Sequence, residues 1–227
     1  MDGSPIRQKT YAVNQETQEI EADGVEIAVY GAITEFICFE NELTTLDVSK
    51  NTALTYLECY SNQITTLDVS KNTALTYLDC NGNQLATLDV SKNTALTNLD
   101  CSINQLTALD VSKNTALTDL ECYSNQLTSL DLSKNTALTY LDFNSNKLTA
   151  LDISKNTALT DLVCNDNPTV NTLSIASSYG NASVSTALAT LITDATSTTG
   201  TLKIYGGDNT TVHTAATTKG WTVNANL

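Results

Sequence analysis

Cations are scarce in this chain. Eleven lysines and arginines stand against 25 aspartates and glutamates over 227 residues, a formal net charge of −14 with a pI of about 4.2. Nucleic acid and anionic membrane surfaces repel such a chain, so partners that bind through phosphate are excluded. No apolar run of roughly 18 residues occurs, so no segment is expected to insert in a membrane. The N-terminus, MDGSPIRQKTYAVNQETQEIEADG, lacks the basic, apolar, small-residue order of a signal peptide. There is one histidine, His213, and no cluster of Cys or His at the short spacings of a metal site. No Gly-Lys-Ser/Thr follows GGDN at 206–209, so that stretch reads as a turn and not a phosphate loop. No serine or cysteine stands in a recognisable motif with a base and an orienting group. The chain is expected to be no enzyme and to carry neither cofactor nor metal.

What is present is a period. LTYLECYSNQITTLDVSKNTA, residues 54–74, recurs every 21 residues, and SKNTALT appears verbatim six times. A repeat of that length predicts a solenoid and not a closed globule. Each period holds two similar halves, L-T-x-L-D-V-S-K-N-T-A as in Leu43–Ala53 and L-T-Y-L-E-C-Y-S-N-Q as in Leu54–Gln63. L-x-L alternation puts both leucines on one face of a short strand. Asn is expected to close the strand, tolerating left-handed backbone and bonding the turn with its amide. A half-repeat of about 10 residues leaves no room for a helix of ordinary length, about 11 residues. Each coil should therefore be strand, turn, strand, turn, with two parallel sheets along the array and coils about 4.8 Å apart.

Both halves fit L-x-x-L-x-L-x-x-N with Cys allowed at the third apolar slot, the leucine-rich-repeat signature. The chain resembles bacterial leucine-rich-repeat proteins of the short variety, whose 21-residue unit carries the motif twice. The resemblance implies a β-rich leucine-rich-repeat solenoid and a role in adhesion or recognition at a cell surface. Three regions are expected: an N-terminal capping strand or hairpin over 1–32, the repeat array over 33–167, and an α/β cap over 168–227. VEIAVYG (25–31) alternates as a strand should. Beyond Pro168, TLSI, TLKIY and WTV read as strands. Between them Ser183 is expected to cap a first helix, and a second should run from Thr210 to Lys219 and end at Gly220. The G-T-L-x-I…K-G-W-T-V pattern of this piece resembles terminal caps of bacterial surface and phage-associated repeat proteins.

Cys38, Cys59, Cys80, Cys101 and Cys122 are spaced by 21, Phe143 takes the next place, and Cys164 the one after. A slot that accepts Cys or Phe faces inward, and a free Cys there behaves as a small hydrophobe.

One half of the repeat holds still while the other varies. In the constant half an Asp column (Asp47, Asp68, Asp89, Asp110, Asp131, Asp152) is offset by a Lys column three residues on. A calcium ladder on those aspartates is disfavoured, because calcium takes six to eight oxygens and lysines stand close by. In the variable half the outward positions combine Tyr56, Tyr77, Asp119 and Tyr140 with Glu58, Asp79, Asp100, Glu121 and Asp142, and with Tyr60 and Tyr123. Tyrosine brings large contact area with little rotamer freedom to lose, and Asn and Ser bring adaptable hydrogen bonds. These eleven residues are the expected ligand-binding set. The bland reading is that strand surfaces accept Tyr and Asn and simply drift, with a turn constraint holding SKNT constant. Neighbouring acids at sheet spacing match the separation of a retaining glycosidase pair, but a ladder of equal acids has no differentiated acid and nucleophile.

The expected partner is a protein or glycan ligand, a cationic one being the natural electrostatic complement, with the chain itself a monomer. The expected location is extracellular or at the cell surface, as a mature chain or a virion component. The competing reading is a rigid structural or virion/tail-associated scaffold that docks through its caps.

Overall fold

The computed structural model describes residues 12–13, 20–22, 26–29, 33–176, 182–205 and 209–225. Its strands begin with β1 (Ala12–Val13), β2 (Ile20–Ala22), β3 (Glu26–Val29), β4 (Glu35–Ile37) and β5 (Thr45–Asp47). The variable halves then supply β6 (Tyr56–Glu58), β7 (Tyr77–Asp79), β8 (Asn98–Asp100), β9 (Asp119–Glu121) and β10 (Tyr140–Asp142). β11 (Ala150–Asp152), β12 (Asp161–Val163) and β13 (Thr172–Ala176) close the array. The C-terminal piece adds α1 (Ala182–Asp194), β14 (Thr201–Tyr205), α2 (Thr210–Lys219) and β15 (Thr222–Ala225).

The variable halves pair in parallel, coil on coil, in the order β1-β4-β6-β7-β8-β9-β10-β12, with β1 antiparallel at one edge. Each pairing is shifted by one repeat, so Tyr56 faces Tyr77 and Glu58 faces Asp79. The ladder runs on past the strand: Cys59 N–H donates to Asp79 O (2.8 Å) and Ser61 N–H to Asn81 O (2.8 Å). The strands are short because the inward Leu and Cys, two residues apart, need only one pleat before Asn turns the chain.

The expected second sheet forms only at the two ends. β5 pairs in parallel with β3, which pairs antiparallel with β2. β11 opens a parallel sheet in the order β11-β13-β14-β15. Between β5 and β11 the constant halves are extended but carry no strand ladder. Side-chain amides replace it. Asn72 Nδ2 donates to Val48 O and to Asn51 O of the preceding coil, both at 2.9 Å, and the same bonds recur from Asn93, Asn114, Asn135 and Asn156. A turn fixed by Asn51 N–H to Val48 O and Leu54 N–H to Asn51 O also recurs in each coil.

The inward columns are buried throughout, and the six free thiols lie in the same core with Phe143 in their line. The column that opens the constant half, Leu43, Ile64, Leu85, Leu106, Leu127 and Leu148, completes it. At apolar burial near 25 cal/mol per Å², these stacked side chains hold the coils together, since one coil alone has nothing to cover its faces.

Beyond the array, β13, β14 and β15 alternate with α1 and α2, and the sheet continues the constant side of the solenoid. α1 buries Val184, Leu188, Leu191 and Ile192, packing against α2 and over β12, the last strand of the variable sheet. The helix begins at Ala182, so Ser183 lies in its first turn instead of capping it. Asn209 caps α2, accepting from Val212 N–H (3.2 Å), and donates to Ser185 Oγ on α1 (3.0 Å). The rest of GGDN, 206–208, lies outside the described residues. α2 ends where Gly220 takes a φ of 89°. Gly200 has a different reason: a Cβ there would sit 2.4 Å from the ring of Trp221, which covers it.

Candidate functional site: the variable sheet face

The eleven expected ligand-binding residues all lie along one face. Tyr56, Tyr77, Asp119 and Tyr140 form one column, and Glu58, Asp79, Asp100, Glu121 and Asp142 the next, on either side of the buried leucines. Tyr60 and Tyr123 belong to a third column, two residues past the acids. Parallel in-register pairing stacks like positions about 4.8 Å apart, and this brings the aromatics into contact. Tyr56 and Tyr77 stack with centroids 4.3 Å apart at 11°, and Phe39 stacks on Tyr60 at 4.5 Å and 8°. Both stacks lie toward the N-terminal end of the sheet. The Tyr56 hydroxyl donates to Glu58 on the same strand. Tyr140 stands three coils beyond Tyr77, with Asn98 and Asp119 between them, and does not join the stack.

Tyr123 reaches across two coils. Its hydroxyl accepts from Asn81 Nδ2 (3.2 Å), which also donates to Asp100 Oδ2 (3.3 Å), while the short Ser102 lies fully buried between them. Asn81 and Phe39 were outside the expected set. Their column positions were visible in the sequence, but a network spanning 42 residues was not.

The acids of this face differ from those of the constant half. Burial raises Asp79 to about 6, with Asp100 and Glu58 adding repulsion against a bond from Asn81 N–H. Burial first, then Asp100, Asp119 and Asp142, raises Glu121 to about 7. Asp119 and Asp142 are raised mainly by burial. In the constant half, Asp68, Asp89, Asp110 and Asp131 are held below the ordinary carboxylate range by hydrogen bonds from Ser70, Ser91, Ser112 and Ser133. Each Oδ1 there accepts a Ser N–H two residues on, at 2.8–2.9 Å. No Lys or Arg occupies any of the three columns of the variable face between residues 35 and 165. The face therefore carries acids, aromatics and small polar residues but no cation, with partly desolvated carboxyls.

The constant half has its own reason for constancy. Asn51, Asn72, Asn93, Asn114, Asn135 and Asn156 are fully buried, and Asp with Ser shapes the turn before them. Within SKNT the buried Asn and the Ser bonded to Asp are held by packing and turn bonds, while Lys and Thr are exposed. A cleft of about 490 Å³ on that side, lined in part by Asp131, Asp152, Lys155 and Ser174, lies where the array meets the C-terminal piece. Asp131 and Asp152 both accept from serine N–H groups there. Among the described residues no group of three or more His, Cys, Asp or Glu is placed to hold a metal ion, and no helix is long and apolar enough to cross a membrane.

A family model of leucine-rich repeats (two copies) matches residues 52–93. The array is a leucine-rich-repeat solenoid. No match arises among curated proteins compared by sequence. Among solved structures, the functional domain of InlJ from Listeria monocytogenes is similar at 40% identity over 63% of this chain and 39% of that one, with a TM-score of 0.48. An internalin of the same species, InlF, is 25% identical over 58% of this chain and 45% of that one, with a TM-score of 0.51. A Leptospira interrogans leucine-rich-repeat protein shares the fold at 19% identity over 71% of this chain and 47% of that one, with a TM-score of 0.51. The solenoid and its ends span less than half the length of these solved chains. Leucine-rich repeats generally mediate protein binding or recognition.

Proposed function

We propose that this chain is a non-enzymatic recognition module at a bacterial cell surface that binds a protein with a cationic surface through the variable sheet. One observation carries the reading: two aromatic stacks adjoin a column of five acids on a rigid ladder, and no cation stands among them. Rigid aromatic pairs give contact area with little entropy to lose, and the acids select partner charge and speed encounter. Residues 1–32 and 168–227 serve in this reading as caps for the ends of the binding array.

The test is a binding screen of the purified chain against an array of extracellular proteins and glycans. A variant with Tyr56→Ser, Tyr60→Ser and Tyr77→Ser is run beside it. Hot-spot tyrosines contribute about 2 kcal/mol or more each, so a cationic protein hit should weaken by roughly 100-fold or more in the variant while its thermal midpoint holds. A hit that the variant keeps, or a glycan hit alone, overturns the reading. A folded chain with no hit favours the rigid scaffold docking through its caps.

A further inference from the structure

Each variable strand ends in a turn that passes through left-handed backbone one residue before the buried Asn. The positions are Glu40, Ser61, Gly82, Ile103, Ser124, Ser145 and Asp166, with φ between 49° and 62°. The turn needs this geometry because the next residue must aim its amide inward. Asn104 Nδ2 donates to Cys80 O, Cys101 O and Ser102 O at 3.0–3.1 Å. Glycine and aspartate meet the need most readily, and serine and glutamate, unbranched at Cβ, crowd it less than a β-branched residue. Isoleucine is poorly suited, since a β-branched side chain at positive φ crowds its own backbone.

Ile103 is also 48% exposed and takes no part in the core. Its column neighbours are Gly82, with no side chain, and Ser124, with a short one, so it stands out as a lone aliphatic knob. Its N–H donates to Tyr123 O (2.9 Å), which sets it at the foot of the Tyr123–Asn81–Asp100 network. Strain and exposure at one residue, with nothing gained inside the chain, are what a contact residue shows.

We infer that Ile103 is the apolar anchor of the recognition face, placed to enter a nonpolar recess rimmed by Lys or Arg on a protein partner. The inference rests on the variable-face reading and extends that face onto its turn ridge. Asp100, on the strand just before Ile103, supplies the charge that such a rim would meet.

The experiment pans a phage-displayed library of random peptides, each of about a dozen residues, against the full chain. Enriched peptides are then titrated against Ile103→Asn, Ile103→Leu and the triple tyrosine-to-serine variant. Asn accepts left-handed backbone, so Ile103→Asn should unfold about 2–4 °C higher. The expected peptides pair an aliphatic or aromatic residue with Lys or Arg, lose tenfold or more on Ile103→Asn, and keep most affinity for Ile103→Leu. Peptides that bind Ile103→Asn like the parent but lose affinity for the tyrosine variant sink the anchor and leave the face reading intact. Peptides indifferent to both variants, or a library with no binder, sink both. An unchanged unfolding midpoint in Ile103→Asn overturns the strain half of the argument.

Discussion

Asn104 and Asn93 look alike in the sequence but differ in what their oxygens meet. Asn104 donates to three carbonyls and accepts from Leu85 N–H at 2.9 Å. Asn93 donates to Val69 O and Asn72 O, but its buried Oδ1 meets no protein donor. Removing a satisfied buried partner strands the groups it served, at about 1–3 kcal/mol for each group left bare. Asn104→Ala should therefore cost roughly 3 kcal/mol in urea unfolding. Asn93→Ala should cost less, about 1–2 kcal/mol, because it also deletes an unsatisfied oxygen. Equal costs would refute this division of labour. The motif made Asn a turn residue, and it is one, but the left-handed position falls one residue earlier. The amide is expected from sequence to bond the turn backbone, but its bonds to carbonyls of the preceding coil could not be seen until the coils were stacked.

At the scale of the element, the two halves of the repeat solve one problem differently. The variable half joins coils by a backbone ladder, and the constant half joins them by Asn amides over most of the array. Two-residue alternation is the same in both, so the sequence predicts strands in both. Whether successive backbones stay within ladder distance depends on how the coils stack, which no single repeat contains. The ladder crowds the acids of β6 to β10, and this has a pH signature. A carboxyl raised in the folded state holds its proton more tightly there than in the unfolded chain. Its contribution is fully present below the unfolded value of about 4 and is lost as pH rises through the folded one. For Asp79 and Glu121 that window closes near 6 and 7. The constant-face aspartates act oppositely, adding stability above about 4 and losing it below. Glu121→Gln should thus raise the thermal midpoint at pH 8 and leave it nearly unchanged at pH 4. Scanning calorimetry at both pH values checks this, and an equal shift at the two would refute the raised carboxyl.

At the scale of the whole molecule, the C-terminal piece covers surfaces that the array would otherwise expose. α1 covers β12, and β14 pairs the free edge of β13. Deleting 177–227 bares Leu162, Cys164 and the β13 edge, an open template for another chain. Light scattering on the eluting peak should then show species larger than a monomer, and a clean monomer would show the cap to be dispensable.

The sequence by itself determined the period, the inward columns and the outward face, because each depends only on alternation and repeat length, which are local. Most of the candidate site was legible for the same reason: equal positions in equal repeats must share a face. The tertiary structure alone decided which half forms the continuous sheet, which acids are desolvated, which aromatics stack and that Tyr123 reaches Asn81. It also set an isoleucine in left-handed backbone beside the anionic face. Those outcomes arise between coils, from spacing and burial, and a period states only that coils repeat.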